Sequence, residues 1–232
     1  MGILKAFPEK PVSLGMGVVT LEEGIKLSGK PAEIPDCSRN DLPDLFKRLG
    51  FKAGVEIGVY LGEYTEVLAR SGLQIYGVDP WKLYRDYGNP RGQKRLDDQY
   101  KMATERLAQY PNVKIIRKSS MEALEDFKDG SIDFVYIDGN HLFRYVAEDL
   151  YEWSMKVRNG GIVSGHDYAY YWPRSACGGC HVHQVVDAFV KAYHIPNFWV
   201  LGRRDDSRPD NEKRDKYRSW MWFKTYKMPS GE

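Results

Sequence analysis

The chain has 232 residues, with 34 lysine and arginine side chains against 32 aspartate and glutamate side chains. This near balance gives no electrostatic case for nucleic acid as the main partner. No run approaches the ~18 apolar residues of a membrane span, and the first residues lack the apolar core of a signal peptide. Three cysteines, an odd count, argue against a disulfide framework. We therefore expect a cytoplasmic protein without a membrane partner.

Proline and glycine punctuate residues 1–40, which carry little periodic pattern. Two short apolar runs, 17–21 and 24–27, predict a small hairpin. We interpret residues 1–40 as an appendage that acts as a lid over a site or contacts another subunit of a homo-oligomer. Residues 41–232 are then long enough for one domain with an ample core.

From residue 51 onward, short β-type runs alternate with helical runs. Five β-α alternations are followed by two strands with no helix between them, and this order predicts an α/β protein. The expected strands are a run ending at Glu56 and residues 74–78, 113–116, 132–138, 162–165, 197–201 and 219–223. The expected helices are 41–50, 63–70, 95–109, 121–127, 145–156 and 185–193.

The first strand leads into a glycine-containing turn. Glu56 ends the strand, Gly58 and Gly62 follow at a spacing of four, and the next strand ends in a second acid, Asp79. A carboxylate about 20 residues beyond a glycine turn is typical of a nucleoside-binding α/β crevice. A dinucleotide fingerprint would also need glycine where Tyr60 and Glu63 stand. The alternative is an ordinary strand–turn–helix unit that needs glycine for geometry alone.

Polar residues also follow the later strands. Because ligands bind outside the carboxyl ends of the strands in an open α/β sheet, we expect these residues to converge on one edge. Any single aspartate among them could instead be a helix cap. The residues at the ends of strands one to five are Glu56, Asp79, Ser119–Ser120, Asp138 and His166–Asp167.

The segment Asp138-Gly139-Asn140-His141 resembles the Asp-Gly-x-His segment of a family of class I S-adenosylmethionine-dependent methyltransferases. That family includes sugar and natural-product O-methyltransferases. The resemblance continues through 160–168 and 181–189 and covers roughly 45–225 in order and spacing. It implies a Rossmann-like fold with three α/β/α layers, and a seven-stranded, mostly parallel sheet with one antiparallel strand.

The resemblance also implies roles for individual residues. S-adenosylmethionine would be the cofactor, with its ribose at Asp79 and its adenine at Ser119 and Ser120. The residues implied around the rest of the cofactor are Glu56, Gly58, Tyr60, Gly62 and Asp138. His141 stands where catechol-type enzymes carry a lysine, and we predict it as the catalytic base with Asp138 beside it. The alternative for His141 is a histidine at a helix start, bonded to the backbone.

In related catechol-type enzymes an acid and two later residues hold Mg²⁺. The matching positions here are Asp138, His166 and Asp167. A divalent cation would lower the pKa of a bound hydroxyl and fix its position. His166 departs from that pattern, because Mg²⁺ prefers oxygen ligands, and it would favour a softer ion such as Mn²⁺.

Two clusters lie beyond the fifth strand. Cys177, Cys180, His181 and His183 are interpreted as part of a flexible substrate loop with reduced thiols, and a zinc site is the alternative that their spacing leaves open. Tyr168 and the aromatic residues at 170–172 could wall an acceptor pocket or belong to the core.

The sequence therefore predicts methyl transfer from S-adenosylmethionine to a hydroxyl of a small molecule such as a sugar, a polyketide or another natural product. One alternative is a catalytically silent protein of the same fold that binds the cofactor. A second is methylation of protein or nucleic acid. The near-neutral charge disfavours nucleic acid, and no Asn-Pro-Pro-Tyr motif of amino methylation follows the fourth strand.

Overall fold

A computed structural model describes residues 20–83, 92–169, 179–202 and 217–226 of the chain. Within these ranges a central sheet carries helices on both faces. None of the described helices is long and apolar enough to cross a membrane. The strands are β1 (Ala32–Ile34), β2 (Ala53–Ile57), β3 (Gln74–Val78), β4 (Val113–Ile116), β5 (Ile132–Ile137), β6 (Val157–Gly165), β7 (Trp199–Leu201) and β8 (Ser219–Phe223). The α-helices are α1 (Leu21–Gly24), α2 (Leu42–Arg48), α3 (Glu63–Arg70), α4 (Gly92–Leu107), α5 (Ser120–Ala123), α6 (Phe143–Lys156) and α7 (Val182–Ala192).

The strands are arranged across the sheet in the order β1-β7-β8-β6-β5-β2-β3-β4. β8 runs antiparallel to β6 and β7, and the other neighbouring pairs are parallel. The prediction of a Rossmann-like, mostly parallel sheet with one antiparallel strand is confirmed. The chain order reverses between β2 and β5, and ligands bind at such a switch point in open α/β sheets.

The sheet differs from the predicted seven strands because β1 adds an eighth at the edge beside β7. Ala32 pairs with Trp199 and Ile34 with Leu201, and Ile34 is fully buried. The segment before residue 41 therefore contributes to the sheet and its core. Whether it also acts as a lid or an oligomer contact stays a prediction.

The hairpin predicted from the runs at 17–21 and 24–27 is wrong in its described part, where α1 is a helix. The backbone N–H of Thr20 donates to the Glu23 carboxylate at 3.0 Å, and the Glu23 N–H donates back to the Thr20 hydroxyl at 3.3 Å. This reciprocal capping box stabilises a helix start and outweighs the short β-type pattern. Residues 17–19 lie outside the described part of the chain.

β5 shows how the three layers are built. Its side chains alternate, so that Val135 and Ile137 belong to the core on one face of the sheet, with Trp153 of α6. Phe134 belongs to the core on the other face, where its ring stacks on Phe46 of α2 at 4.1 Å between centroids. Strands covered on both faces need apolar side chains at nearly every position, which explains the continuous apolar runs in the sequence.

β6 begins earlier than predicted. The Gly160–Gly161 pair, expected to form the turn before a strand at 162–165, lies inside β6. A Cβ on Gly161 would lie 2.3 Å from the carbonyl oxygen of Asp133, and the pairing of β5 with β6 shifts register at this point. The glycine permits an irregularity within the strand, and such positions are difficult to distinguish from turns by composition.

Candidate active site

A cavity of about 380 Å³ opens at the carboxyl ends of β2, β3 and β5, where the strand order reverses. Its size falls within the usual range for small-molecule sites. Of the residues predicted for the site, it brings together Glu56, Gly58, Tyr60, Asp79, Ser120, Asp138 and His141. Gly62, Ser119, His166 and Asp167 do not line it.

Asp79 holds the turn after β2 in place. Its Oδ2 accepts the backbone N–H groups of Val59 at 3.1 Å and Tyr60 at 3.0 Å, and its Oδ1 accepts that of Trp81 at 2.8 Å. Burial raises the pKa of Asp79, and these backbone bonds oppose the rise. An ionised carboxylate offers about four acceptor positions, so capacity for a ribose hydroxyl remains.

The two glycines of the turn are explained by backbone packing. Gly58 has φ of +91°, and a Cβ there would lie 2.1 Å from the carbonyl oxygen of Asp138. Gly62 has φ of +76° and precedes α3, with its missing Cβ directed at Leu107 of α4. Gly58 therefore lets the ends of β2 and β5 approach each other, and Gly62 lets α3 pack on α4.

Glu56 is a buried acid in the cavity wall, only 1% exposed. The Thr65 hydroxyl donates to its Oε2 at 2.5 Å. Burial raises the pKa of Glu56 to about 8, and the nearby Asp138 and Asp79 add to the rise, whereas Thr65 and Arg39 oppose it. At neutral pH this carboxyl is mostly protonated in the protein without ligand.

Two carboxylates and two imidazoles meet at the ends of β5 and β6. The His141 Nε2 lies 3.0 Å from Oδ2 of Asp167 and 3.6 Å from Oδ1 of Asp138. The His166 Nδ1 lies 3.5 Å from Asp167 Oδ2 and 3.8 Å from Asp138 Oδ2.

The protonation of this group follows from its contacts. Burial favours neutral imidazole, but hydrogen bonds with Asp138 and Asp167 outweigh it and hold the pKa of His141 well above its usual value. Burial also acts to lower the pKa of His166, but Asp167 and Asp138 outweigh it and raise that pKa. Burial acts to raise the pKa of Asp167, but the two imidazoles outweigh it and lower that pKa. His141 and Asp167 thus form an imidazolium–carboxylate pair.

Metal-ligating atoms of Asp138, His141 and Asp167 all lie within 4.8 Å of one another. This set shares Asp138 and Asp167 with the predicted one, and the part of His166 in metal binding stays a prediction. One nitrogen and two carboxylates form a donor set suited to first-row divalent metals. The set therefore fits a metal ion, provided that His141 loses its proton.

Arg39 is a site residue that the sequence reasoning missed. It lies in a short 3-10 helix, Arg39–Asp41, and lines the cavity. Its Nη1 lies 3.2 Å from Oδ2 of Asp138, and its guanidinium lies 4.8 Å from the centroid of the Tyr64 ring. The Tyr64 hydroxyl donates to the Arg39 carbonyl at 2.9 Å. Arg39 and Asp138 are 99 positions apart, so no local pattern marks the pair.

The two serines after β4 have different roles. The Ser119 hydroxyl donates to the Glu122 carboxylate at 2.7 Å and accepts the Glu122 N–H at 3.3 Å, which makes it the cap of α5. Ser120 lines the cavity together with Asp149 of α6, a second residue that the sequence reasoning missed. An acid between Val146 and Trp153, on the buried stripe of α6, is a signal that could have indicated it.

Among the residues that the structure describes, the zinc alternative is not supported. His181 Nδ1 accepts the backbone N–H of Phe143 at 3.1 Å, and His183 Nε2 lies 3.3 Å from Asp187 Oδ2. Cys177 and residues 170–172 lie outside the described ranges. Tyr168 is buried against Phe198, which favours the core alternative for this tyrosine.

The sequence of 55–168 matches the model of a family described as a methyltransferase domain. An uncharacterized protein of Sinorhizobium fredii, y4gI, is 27% identical over 120 residues, which are 49% of this chain and 13% of that protein. This chain thus spans only a small part of that relative's length.

Solved methyltransferases share the fold. The O-methyltransferase TomG of Streptomyces achromogenes, in complex with SAM, has a TM-score of 0.54 at 15% identity, over 80% of this chain and 78% of that one. A Bacillus cereus O-methyltransferase in complex with SAH has a TM-score of 0.52 at 16% identity, over 79% and 78%. A Burkholderia thailandensis 1,6-didemethyltoxoflavin N1-methyltransferase has a TM-score of 0.51 at 14% identity, over 82% of this chain and 80% of that one.

At these identities, the structural likeness establishes the fold. The methyltransferase-domain model matches 114 of the 232 residues (168 − 55 + 1), and the solved methyltransferases share the fold of this chain. The matched residues, 55–168, contain the glycine turn, Asp79 and the Asp138–His141 segment around which the cavity is built.

Proposed function

We propose that this protein transfers the methyl group of S-adenosylmethionine to a hydroxyl of a small-molecule acceptor. The observation that carries the proposal is the convergence of Asp79, Glu56 and the His141–Asp167 pair at the switch point of one sheet. The first two residues suit a nucleoside with a cationic tail, and the pair suits removal of a proton from a hydroxyl.

The cofactor would lie across the ends of β2 and β3. Asp79 would accept a hydrogen bond from a ribose hydroxyl at its remaining acceptor position, as a strand-end acid does in nucleoside-binding crevices. The adenine would then lie towards Ser120, and the amino-acid tail towards Glu56 and Asp138. Each of these four residues lines the cavity.

The amino-acid tail carries an ammonium group and a carboxylate, and the cavity offers a partner for each. Glu56 and Asp138 are acids suited to the ammonium, and Arg39 is a cation in the same wall. A guanidinium can bind a carboxylate through two parallel hydrogen bonds. We therefore assign the tail carboxylate to Arg39.

Methyl transfer is an in-line displacement in which positioning supplies much of the rate. The acceptor oxygen forms a bond to the methyl carbon, and the carbon–sulfur bond breaks with its electron pair remaining on sulfur. The hydroxyl proton passes to the imidazole of His141, and Asp167, whose Oδ2 lies 3.0 Å from Nε2, stabilises the imidazolium that results. Because His141 is held protonated in the free protein, it must release its proton before each turnover.

A divalent cation is compatible with the same residues. Asp138, His141 and Asp167 would hold it, and it would lower the pKa of an acceptor hydroxyl. Removal of metal with a chelator and readdition of Mn²⁺ or Mg²⁺ tests the requirement. Turnover that survives the chelator would assign proton removal to His141 alone.

The proposal is tested by calorimetric titration with S-adenosylhomocysteine on the wild type, Asp79→Ala and Asp79→Asn, each checked for folding by circular dichroism. We expect the wild type to bind, and Asp79→Ala to bind at least roughly tenfold more weakly, as for loss of a hydrogen bond to a charged group. A panel of hydroxylated acceptors is then assayed for product from S-adenosylmethionine. Absence of cofactor binding would refute the proposal, and binding without turnover would favour a silent cofactor-binding protein.

A further inference from the structure

Asp149 has no part in the reaction described above, although it lines the same cavity. Asp149 lies on α6 and is only 3% exposed. Its Oδ1 has no hydrogen-bond partner among the residues that the structure describes. A buried polar atom left without a partner is destabilising, because it has lost its hydrogen bonds to water. A ligand in the cavity that supplies the missing partner would therefore gain affinity.

The neighbours of Asp149 show which part of the cavity it faces. Ser120, after β4, is close enough to hydrogen-bond its carboxyl. A Cβ built on Gly139, after β5, would lie 3.5 Å from its Oδ2. Asp149 thus lies beside the residues that follow β4 and β5.

The rest of the cofactor has other partners in the cavity. Asp79 would bind the ribose, and Glu56 with Arg39 would bind the amino-acid tail. The base is then the part of the ligand that remains for Ser120 and Asp149. Of the polar groups on adenine, the 6-amino group is the hydrogen-bond donor, and Oδ1 of Asp149 is an acceptor that lacks one.

We propose that Asp149 binds the edge of adenine that carries the 6-amino group and so makes the site selective for an adenine nucleoside. This inference rests on the proposed cofactor. Oδ1 accepts a hydrogen bond from the 6-amino group, and the carboxyl in its neutral form donates its own proton to the adjacent ring nitrogen. Two such bonds fix the base in one orientation, which in turn fixes the sulfur atom relative to His141.

Burial agrees with a neutral form of this side chain. It raises the pKa of Asp149 to about 7, and the hydrogen bond with Ser120 opposes the rise while Glu148 adds to it.

The test compares S-adenosylhomocysteine with its 6-deamino analogue, which has purine in place of adenine. Both are titrated calorimetrically into the wild type, Asp149→Leu and Asp149→Asn. We expect the wild type to prefer the adenine ligand by roughly 10- to 100-fold, as for one or two buried hydrogen bonds. Asp149→Leu should bind the two ligands within about threefold of each other. Asp149→Asn should retain most of the preference, because an amide also offers an acceptor and a donor.

The outcomes separate this inference from the function on which it rests. If the wild type binds neither ligand, the proposed function fails and the inference fails with it. If the wild type binds both ligands equally, or if Asp149→Leu keeps the full preference, the inference alone is overturned. Glu152→Leu, on the same helix but outside the cavity lining, is the matched control and should behave like the wild type.

Folding of the variants is checked by thermal melting. If Asp149→Leu does not fold, the wild type and Asp149→Asn still decide the question. A wild-type preference below about threefold would overturn the inference without any variant. A strong preference that Asp149→Asn retains would support a direct hydrogen bond to the base.

Discussion

The substitution Glu56→Gln gives the sharpest test of how the cofactor tail is bound. Glu56 is buried, is hydrogen-bonded by Thr65 and has a pKa of about 8. At pH 7 roughly 90% of these carboxyls are protonated in the free protein, so glutamine is a close neutral substitute. Binding of an ammonium group favours the ionised form, which glutamine cannot adopt. A hydrogen bond to a charged group contributes about 1.5–3 kcal/mol, which corresponds to a roughly 10- to 150-fold loss of affinity.

The assay is calorimetric titration with S-adenosylhomocysteine at several pH values between 6 and 8, in two buffers with different ionisation enthalpies. The wild type should release nearly one proton for each ligand bound at pH 7 and bind more tightly as pH rises towards 8. Glu56→Gln should lose this proton release. The other charged groups that act on Glu56 are Asp138, Asp79 and Arg39, and all three remain in the variant.

Glu63→Gln is the matched control, because Glu63 lies on the rim of the same cavity with a side chain 64% exposed. We expect the affinity of Glu63→Gln for S-adenosylhomocysteine to stay within about threefold of that of the wild type. If Glu56→Gln binds as tightly as the wild type and releases the same number of protons, the assignment of Glu56 to the tail is refuted.

The same pKa predicts an effect on stability. The pKa of Glu56 in the folded protein lies above its ordinary value of 4.5, so the folded state binds more protons than the unfolded state between about pH 4.5 and 8. The free energy of unfolding should therefore fall as pH rises through this window. Glu56→Gln should lessen that fall, and denaturant unfolding at pH 5 and pH 8 measures the difference.

Three further substitutions test other parts of the site. Gly58→Ala should lower the melting temperature more than Gly72→Ala, because both have positive φ but only Gly58 would collide with backbone; equal shifts would contradict this. His141→Gln should lower turnover roughly 10²- to 10⁴-fold and leave the affinity for S-adenosylhomocysteine nearly unchanged, whereas unchanged turnover would remove it as the base. Arg39→Met should weaken S-adenosylhomocysteine roughly tenfold or more but not 5′-methylthioadenosine, which has no amino-acid tail. If the affinity for both ligands fell equally, Arg39 would act only by holding Asp138. The control is Arg48→Met, because Arg48 is an exposed arginine.

The sequence predicted the parts of the site that depend on strand order. Asp79 and Asp138 each follow an apolar run directly, and the ends of parallel strands meet at one edge whatever the details of packing. Glu56 could be placed for the same reason. The charge state of Glu56 could not, because it depends on burial and on Thr65, a residue of the following helix.

Other features depend on contacts between distant segments. Arg39 reaches Asp138 from the segment before the first predicted strand of the domain, and β1 pairs with β7 across more than half of the chain. A strand of three residues has too few positions to show periodicity. The sequence also could not distinguish the roles of the two neighbouring serines. In the structure Ser119 caps α5, whereas Ser120 lines the cavity.

Three non-glycine residues in and beside the site lie in a strained region of backbone conformation. Tyr60, Trp81 and Asp167 have φ of 54°, 42° and 57°, a region that costs non-glycine residues about 1–3 kcal/mol each. The Asp79 carboxylate accepts the N–H groups of Tyr60 and Trp81, and the Trp81 indole donates to the Tyr60 carbonyl at 2.9 Å. Asp79 therefore compensates for the strain of the turns beside it, in addition to its proposed bond to ribose. Because the turns are already held in this way, the cofactor does not have to order them, and more of its interaction energy remains for binding and alignment.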